Sequence, residues 1–236
     1  MTETFVGTSG WLYDWNAGGS LDWYAARSGL NAIELNASFY RFPFPSQVKG
    51  WRRRGSRLRW AVKVHRSITH YRRMGSGALD IWRKFKSLFE PLDDLVDFYL
   101  FQLPPRFTRT ERNIEKLRRF SEAVELGSRM AIEFRHQSWF CEETIELCRE
   151  IGATIVSIDS PIGTWIASSN DIVYLRMHGR SAWYAHDYSE EELRGLLREV
   201  LELQPARIYV FFNNDHWMLE NARLMKKLLS TTAQAI

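Results

Sequence analysis

Residues 131–140 read AIEFRHQSWF. Ala131, Ile132 and Phe134 belong in a buried strand, yet Glu133 and Arg135 interrupt the run and His136 follows. Charged side chains are seldom buried without a partner. Residues two apart on a strand share a face, so this strand places a carboxylate and a guanidinium side by side. Similar positions recur along the chain. Residues 32–36 (AIELN) carry Glu34 and Asn36, and 59–65 (RWAVKVH) carry Lys63 and His65. Residues 154–159 (TIVSID) end on Asp159, and 172–178 (IVYLRMH) carry Arg176 and His178. Residues 207–213 (RIYVFFN) end on Asn213, with Asn214 next.

These residue types suit two chemistries. Glu133, Glu34 and Asp159 are candidate general acids or bases, a role that needs hydrogen-bond reach and a tuned pKa. Lys63, Arg135 and Arg176, with His65 and His178, make a candidate anion site, since guanidinium groups recognise carboxylate and phosphate in a bidentate manner. Asn213 and Asn214 precede the last helix, whose N-terminal amides could hold an anion; the same residues also suit an ordinary N-cap. Other chemistries lack a motif. There is no H-E-x-x-H, no nucleophile elbow and no G-x-G-x-x-G after the first strand. No metal and no cofactor are expected. A glycosidase-like carboxylate pair stays open, because its diagnostic is a separation in space.

Eight short runs must position these groups: 5–9, 32–36, 59–65, 98–103, 130–134, 154–159, 172–178 and 207–213. Several are rich in β-branched and aromatic residues, as strands are. Helical patterns separate most of them. Ile114, Leu117, Phe120 and Val124 form one stripe over 110–126, and Leu193, Leu196, Leu197, Val200 and Leu201 form another over 190–203. Ser189 with Glu192 is a capping box. Further helices are expected over 20–29, 45–53, 79–89, 142–150 and 215–229, whereas 160–171 (SPIGTWIASSND) has no helical pattern. Eight strands in βα order predict α/β architecture: a single TIM (β/α)8-type barrel over 1–236, whose connection between the sixth and seventh strands lacks a full helix.

Alternation then assigns faces. It turns Glu34, Lys63, Gln102, Glu133, Arg135, Ser157, Asp159, Tyr174, Arg176 and His178 into the barrel. The polar members come late in their strands, at the C-terminal mouth where TIM-barrel active sites lie. They could also pair with one another as scaffolding, Lys63 with Glu34 and Arg135 with Asp159. On that reading Arg176 neutralises a carboxylate; on the other it stands ready for an anionic ligand.

With 45% hydrophobic and 25% charged residues, the chain has the composition of a soluble globular protein. No apolar run approaches the roughly 18 residues of a membrane helix, and no membrane partner is expected. The N-terminus lacks the pattern of a signal peptide. Cys141 and Cys148 fit neither a disulfide framework nor a zinc motif, so a cytoplasmic location is expected. Net charge is +4, but 35–79 holds eleven Lys/Arg and no Asp or Glu, leaving −7 for the remainder. Such a basic segment attracts polyanions. Arg52, Arg53, Arg54, Arg57 and Arg59 precede the third strand, however, and so belong at the opposite end of the barrel from the mouth. Aromatic residues, among them Trp11 and Tyr40, crowd the loops at the mouth and could stack on a ring.

Seven blocks in order, GTSGW (7–11), IELNASFYRFP (33–43), AVKVHRSITH (61–70), FQLPPRF (101–107), AIEFRHQSW (131–139), YLRMHGR (174–180) and FFNND (211–215), resemble the YecE-like family, domain of unknown function 72. The resemblance spans almost the whole chain. It implies a TIM barrel and supplies no reaction, since that family has no established activity. The resulting expectation is an enzyme acting on an anionic ligand, phosphorylated, nucleotide or nucleic-acid-derived, at the barrel mouth. The alternative is a non-catalytic nucleic-acid-binding barrel with a basic, aromatic rim.

Overall fold

The computed structural model describes residues 2–232. Its elements follow the βα order: β1 (Glu3–Thr8), α1 (Leu21–Arg27), β2 (Ala32–Leu35), α2 (Pro45–Arg54), β3 (Arg59–Lys63), α3 (Ala78–Leu88), β4 (Val96–Gln102), α4 (Glu111–Val124), β5 (Met130–Glu133), α5 (Glu142–Glu150), β6 (Thr154–Ser160), β7 (Gly163–Trp165), β8 (Ile172–Met177), α6 (Glu190–Glu202), β9 (Arg207–Phe212) and α7 (Met218–Thr232). Eight strands pair in parallel in the order β1-β9-β8-β6-β5-β4-β3-β2, and β7 is an antiparallel flap on β6. The chain is a TIM barrel, with a hairpin rather than a helix between β6 and β8.

Amphipathic patterning makes the outer shell. Ile114, Leu117 and Phe120 of α4 are buried, as are Leu193, Leu196, Leu197 and Val200 of α6. The Ser189–Glu192 capping box starts α6, with both reciprocal bonds formed. Inside the barrel, Ala32, Ala61 and Ala131 leave room for Phe98, Tyr174, Tyr209 and Phe211. The Phe98 ring meets Tyr209 edge-on at 4.8 Å and Tyr174 at 5.1 Å. Small residues on one side and rings on the other fill the interior, so the polar mouth sits on a packed floor.

The barrel closes between β1 and β2 with little ladder, a single bridge at Ser9–Glu34. Side chains complete the seam. The Val6 amide donates to Asn31 Oδ1 at 2.8 Å, the Tyr24 hydroxyl donates to the Ala32 carbonyl at 2.9 Å, and the Thr8 amide donates to Tyr24 Oη at 3.1 Å. Gly7 permits this approach: a Cβ there would lie 2.4 Å from the Ala32 carbonyl oxygen.

One expected face is reversed. Val156 and Ile158 of β6 belong to the barrel interior, with Tyr174 and Ala131. Ser157 and Asp159 therefore point outward, not into the barrel. The cause is β7. Ser157 Oγ donates to the Ala167 carbonyl at 2.9 Å and lies 3.0 Å from the Ala167 amide, and Thr164 bonds Asp159. A helix would have required an apolar outer face on β6, whereas the hairpin backbone rewards a polar one.

Candidate active site

Glu34, Glu133, Arg135, Arg176 and His178 meet at the C-terminal ends of β2, β5 and β8, and all are buried. Arg176 lies at the centre and is 0% exposed. Its Nε and Nη2 donate to the two oxygens of Glu34 at 2.8 and 2.5 Å, and its Nη1 donates to Glu133. Nη2 also lies 3.2 Å from Ser9 Oγ. Ser9 and Tyr174 donate to Glu34 as well, the latter at 2.7 Å. Burial pushes the Arg176 guanidinium down, and the carboxylates of Glu133 and Glu34 more than reverse this. Arg176, expected at the ligand surface, is thus the internal counter-ion of two carboxylates.

Arg135 donates from Nε to the other Glu133 oxygen and from Nη2 to Gln102 Oε1 at 3.4 Å. Burial pushes the Glu133 carboxyl up, but Arg135 and Arg176 hold it well below the usual range. His178 Nε2 faces Arg135 Nη2 at 3.0 Å and Arg176 Nη1 at 3.3 Å. The same nitrogen lies 3.3 Å from Glu133 Oε1. Burial and the two arginines hold this imidazole well below its ordinary pKa, and it is neutral. Its Nδ1 lies 3.3 Å from the Asn213 amide.

Two cationic groups are left over. Arg135 is 7% exposed, and its Nη1 makes no hydrogen bond among the described residues. Trp183 covers the guanidinium at 4.5 Å from the ring centroid. The turn that brings Trp183 there needs Gly179, at φ +97°, where a Cβ would lie 2.7 Å from the Ala182 carbonyl oxygen. Lys63, the last residue of β3, is 6% exposed, and its Nζ makes no hydrogen bond or ion pair among the described residues. Its Nζ rests 4.3 Å above the Phe39 ring. Burial first, then Arg176 and Arg135, lower this amine from 10.5 to about 7 against the pull of Glu133 and Glu34. The Lys63–Glu34 and Arg135–Asp159 pairs of the scaffolding alternative do not form among the described residues, because Arg176 takes Glu34 and Arg135 turns to Glu133.

The remaining expected residues divide. Asp159 forms a second network with Arg180 (3.0 Å), the Tyr188 hydroxyl (2.7 Å) and Thr164. Its outward face separates it from Glu133. His65 lies past the end of β3, against Phe42 at 4.7 Å and Ser67 Oγ at 2.7 Å. Asn214 is spent on structure, donating to the His186 carbonyl and to Asn221 Oδ1, both at 2.7 Å. Trp11 is a core residue, its ring edge-on to Trp51 and Trp60 at 6.1 Å. Tyr40 is exposed, with Arg66 near its face. Trp11 and Tyr40 both line a cavity of about 170 Å³ with Ser9, Leu12, Tyr13 and Asn36. Asn36 Oδ1 is buried there without a hydrogen-bond partner among the described residues. Ser9, which bonds Glu34, is among the residues that line this cavity; Lys63 and Arg135 are not.

Ser9, Tyr174, Trp183 and His70 carry more of the site than their sequence positions suggested. Tyr174 lies on the inward face that alternation gave it, whereas Ser9 follows the end of β1 and shares no strand face with an expected site residue. His70 sits on the π-helical turn Ser67–Tyr71, a conformation with no sequence signal. The basic segment splits between the two ends. Arg52, Arg54 and Arg59 pair with Asp94, Asp22 and Asp97 at the N-terminal end. Among the described residues no three His, Cys, Asp or Glu side chains form a metal-binding group. No helix there is long and apolar enough to cross a membrane.

The sequence signature described as "Protein of unknown function DUF72" matches residues 5–236. The chain belongs to the DUF72 family. A crystal structure of a DUF72 family protein from Thermotoga maritima is 32% identical over 97% of this chain and 99% of that one, with a TM-score of 0.85. A DUF72 family protein from Enterococcus faecalis is 22% identical, covering 96% and 95%, at 0.84. A xylose isomerase domain containing protein from Salmonella typhimurium shares only the barrel, at 13% identity over 99% and 97% and a TM-score of 0.58. No curated protein matches this DUF72 chain.

Proposed function

We propose that this DUF72 protein is an enzyme acting on a small anionic molecule at the C-terminal mouth of its barrel. The observation that carries the reading is how the charges are used. Glu34, Glu133, Arg135 and Arg176 balance one another in a closed network. Among the described residues Lys63 has no counter-ion, and the Nη1 of Arg135 makes no hydrogen bond. Pure scaffolding would pair them; an anion would complete both. Lys63 and Arg135 are almost fully buried, at 6% and 7% exposed, which favours a small molecule over a nucleotide or nucleic-acid fragment. Roles follow from basicity. Glu133 is held ionised and is a weak base. An amine near neutrality is matched to proton transfer at ordinary pH, so Lys63 is the base or nucleophile, while Glu133 and Glu34 position Arg135 and Arg176.

Thermal melts test this reading. Phosphate, sulfate and small carboxylates should raise the melting temperature by mass action, compared with chloride at matched ionic strength. The rise should shrink strongly in Arg135→Gln. An equal rise in both proteins, or none in either, would remove the anion site.

A further inference from the structure

We propose that Lys63 is a Schiff-base-forming lysine, and that its substrates are small carbonyl compounds bearing an acidic group, of the 2-oxo acid class. The nucleophile is argued from geometry. The chain has seven lysines, and Lys63 is buried at a strand end in the barrel mouth. A lysine placed for scaffolding would reach a carboxylate. Here both carboxylates of the cluster are already taken by arginines, and Nζ lies on the face of Phe39 at 4.3 Å. An amine desolvated beside other cations is the arrangement that yields a neutral, nucleophilic lysine. Its titration near 7 agrees with this.

The substrate class rests on the anion reading given above. A carboxylate on the free Nη1 of Arg135 would hold a short molecule beside the amine, and the burial of both side chains admits only a small one. The Nζ lone pair adds to the carbonyl carbon while the carbonyl π pair moves to oxygen. The two amine hydrogens end on that oxygen, which leaves as water, and the C=N bond forms. No further reactant is consumed. His70 flanks the same Phe39 ring as the amine. Its ring lies edge-on to Phe39 at 4.9 Å, and its Nδ1 is paired with Thr69 Oγ1 at 2.9 Å, leaving Nε2 open. Burial, Lys63 and Arg135 lower its pKa to about 4, so it is neutral.

The test is reductive trapping with cyanoborohydride at pH 7, using pyruvate and the neutral ketone hydroxyacetone, followed by intact mass and peptide mapping. The expected result is one adduct, on Lys63, far above labelling of the other six lysines. It should be lost in Lys63→Met, which is expected to fold because it removes a buried charge. Pyruvate should label faster than hydroxyacetone, and Arg135→Gln should slow only pyruvate. Labelling spread evenly over the lysines overturns the nucleophile, and does so even if anions still raise the melting temperature. Selective labelling of Lys63 that ignores both the carboxylate and Arg135 overturns the substrate class, and with it the anion reading, while sparing the nucleophile.

Discussion

Replacing Lys63 with Met should make this protein more stable at neutral and mildly acidic pH, and the gain should vanish in alkali. The amine titrates at about 7 in the folded chain against an ordinary 10.5. At about 1.4 kcal/mol per pKa unit, folding disfavours the charged amine by roughly 4–5 kcal/mol. The unfolded chain keeps this proton up to its ordinary pKa, whereas the folded chain releases it near 7. Between these values the unfolded state binds more protons, so wild-type stability rises with pH. The penalty is full below pH 7, declines from 7 to 10.5 and is gone above. Met has similar length and no charge. It forfeits the contact of the ammonium with Phe39, worth up to about 2 kcal/mol for a desolvated pair. A net gain of about 2–3 kcal/mol at pH 6 remains. Urea denaturation of both proteins at pH 6, 8 and 10 measures the difference, and other titrating groups cancel because they are common to both. A variant less stable than wild type at pH 6 would refute the reasoning, as would a gap that does not change with pH.

Arg176→Met should behave oppositely, losing roughly 3–5 kcal/mol because two buried carboxylates lose their counter-ion. Adding Glu34→Gln should recover part of that loss in the same denaturation assay. Glu133→Gln probes the acid side. The Glu133 carboxyl is held well below its ordinary 4.5, so its contribution is present above pH 4.5 and is lost as pH falls through the folded value; the wild-type advantage over the variant should shrink only in acid. Gly7→Ala should cost roughly 1–3 kcal/mol by overpacking, since its Cβ would lie 2.4 Å from the Ala32 carbonyl oxygen, and a lowered melting temperature with unchanged anion response is the expected result.

Much of this architecture was legible in the sequence because it depends on local periodicity. Helical stripes such as Ile114–Leu117–Phe120 and the Ser189–Glu192 capping box need only near neighbours. Strand parity is equally local, so Glu34, Lys63, Glu133, Arg176 and His178 could be brought to one mouth from alternation alone. The parity of β6 failed for a physical reason. Ser157 and Asp159 look like interior polar residues when the outer face is assumed to meet a helix. Here that face meets the β7 hairpin, whose backbone and Thr164 satisfy them.

Which charge meets which partner was beyond the sequence. Residue types fix that Glu34, Glu133, Lys63, Arg135 and Arg176 share a space, but pairing depends on distances of a few ångströms between strands far apart in the chain. Arg176 reaches Glu34 across 142 positions and Glu133 across 43. Coulomb energies fall with separation and rise with burial, so only the folded geometry could leave Arg176 fully paired and Lys63 without a partner. The sequence by itself determined the barrel and the polarity of its mouth, because both follow from repeating local patterns. The tertiary structure alone decided which amine lacks a counter-ion, because that depends on which carboxylates the arginines had already taken.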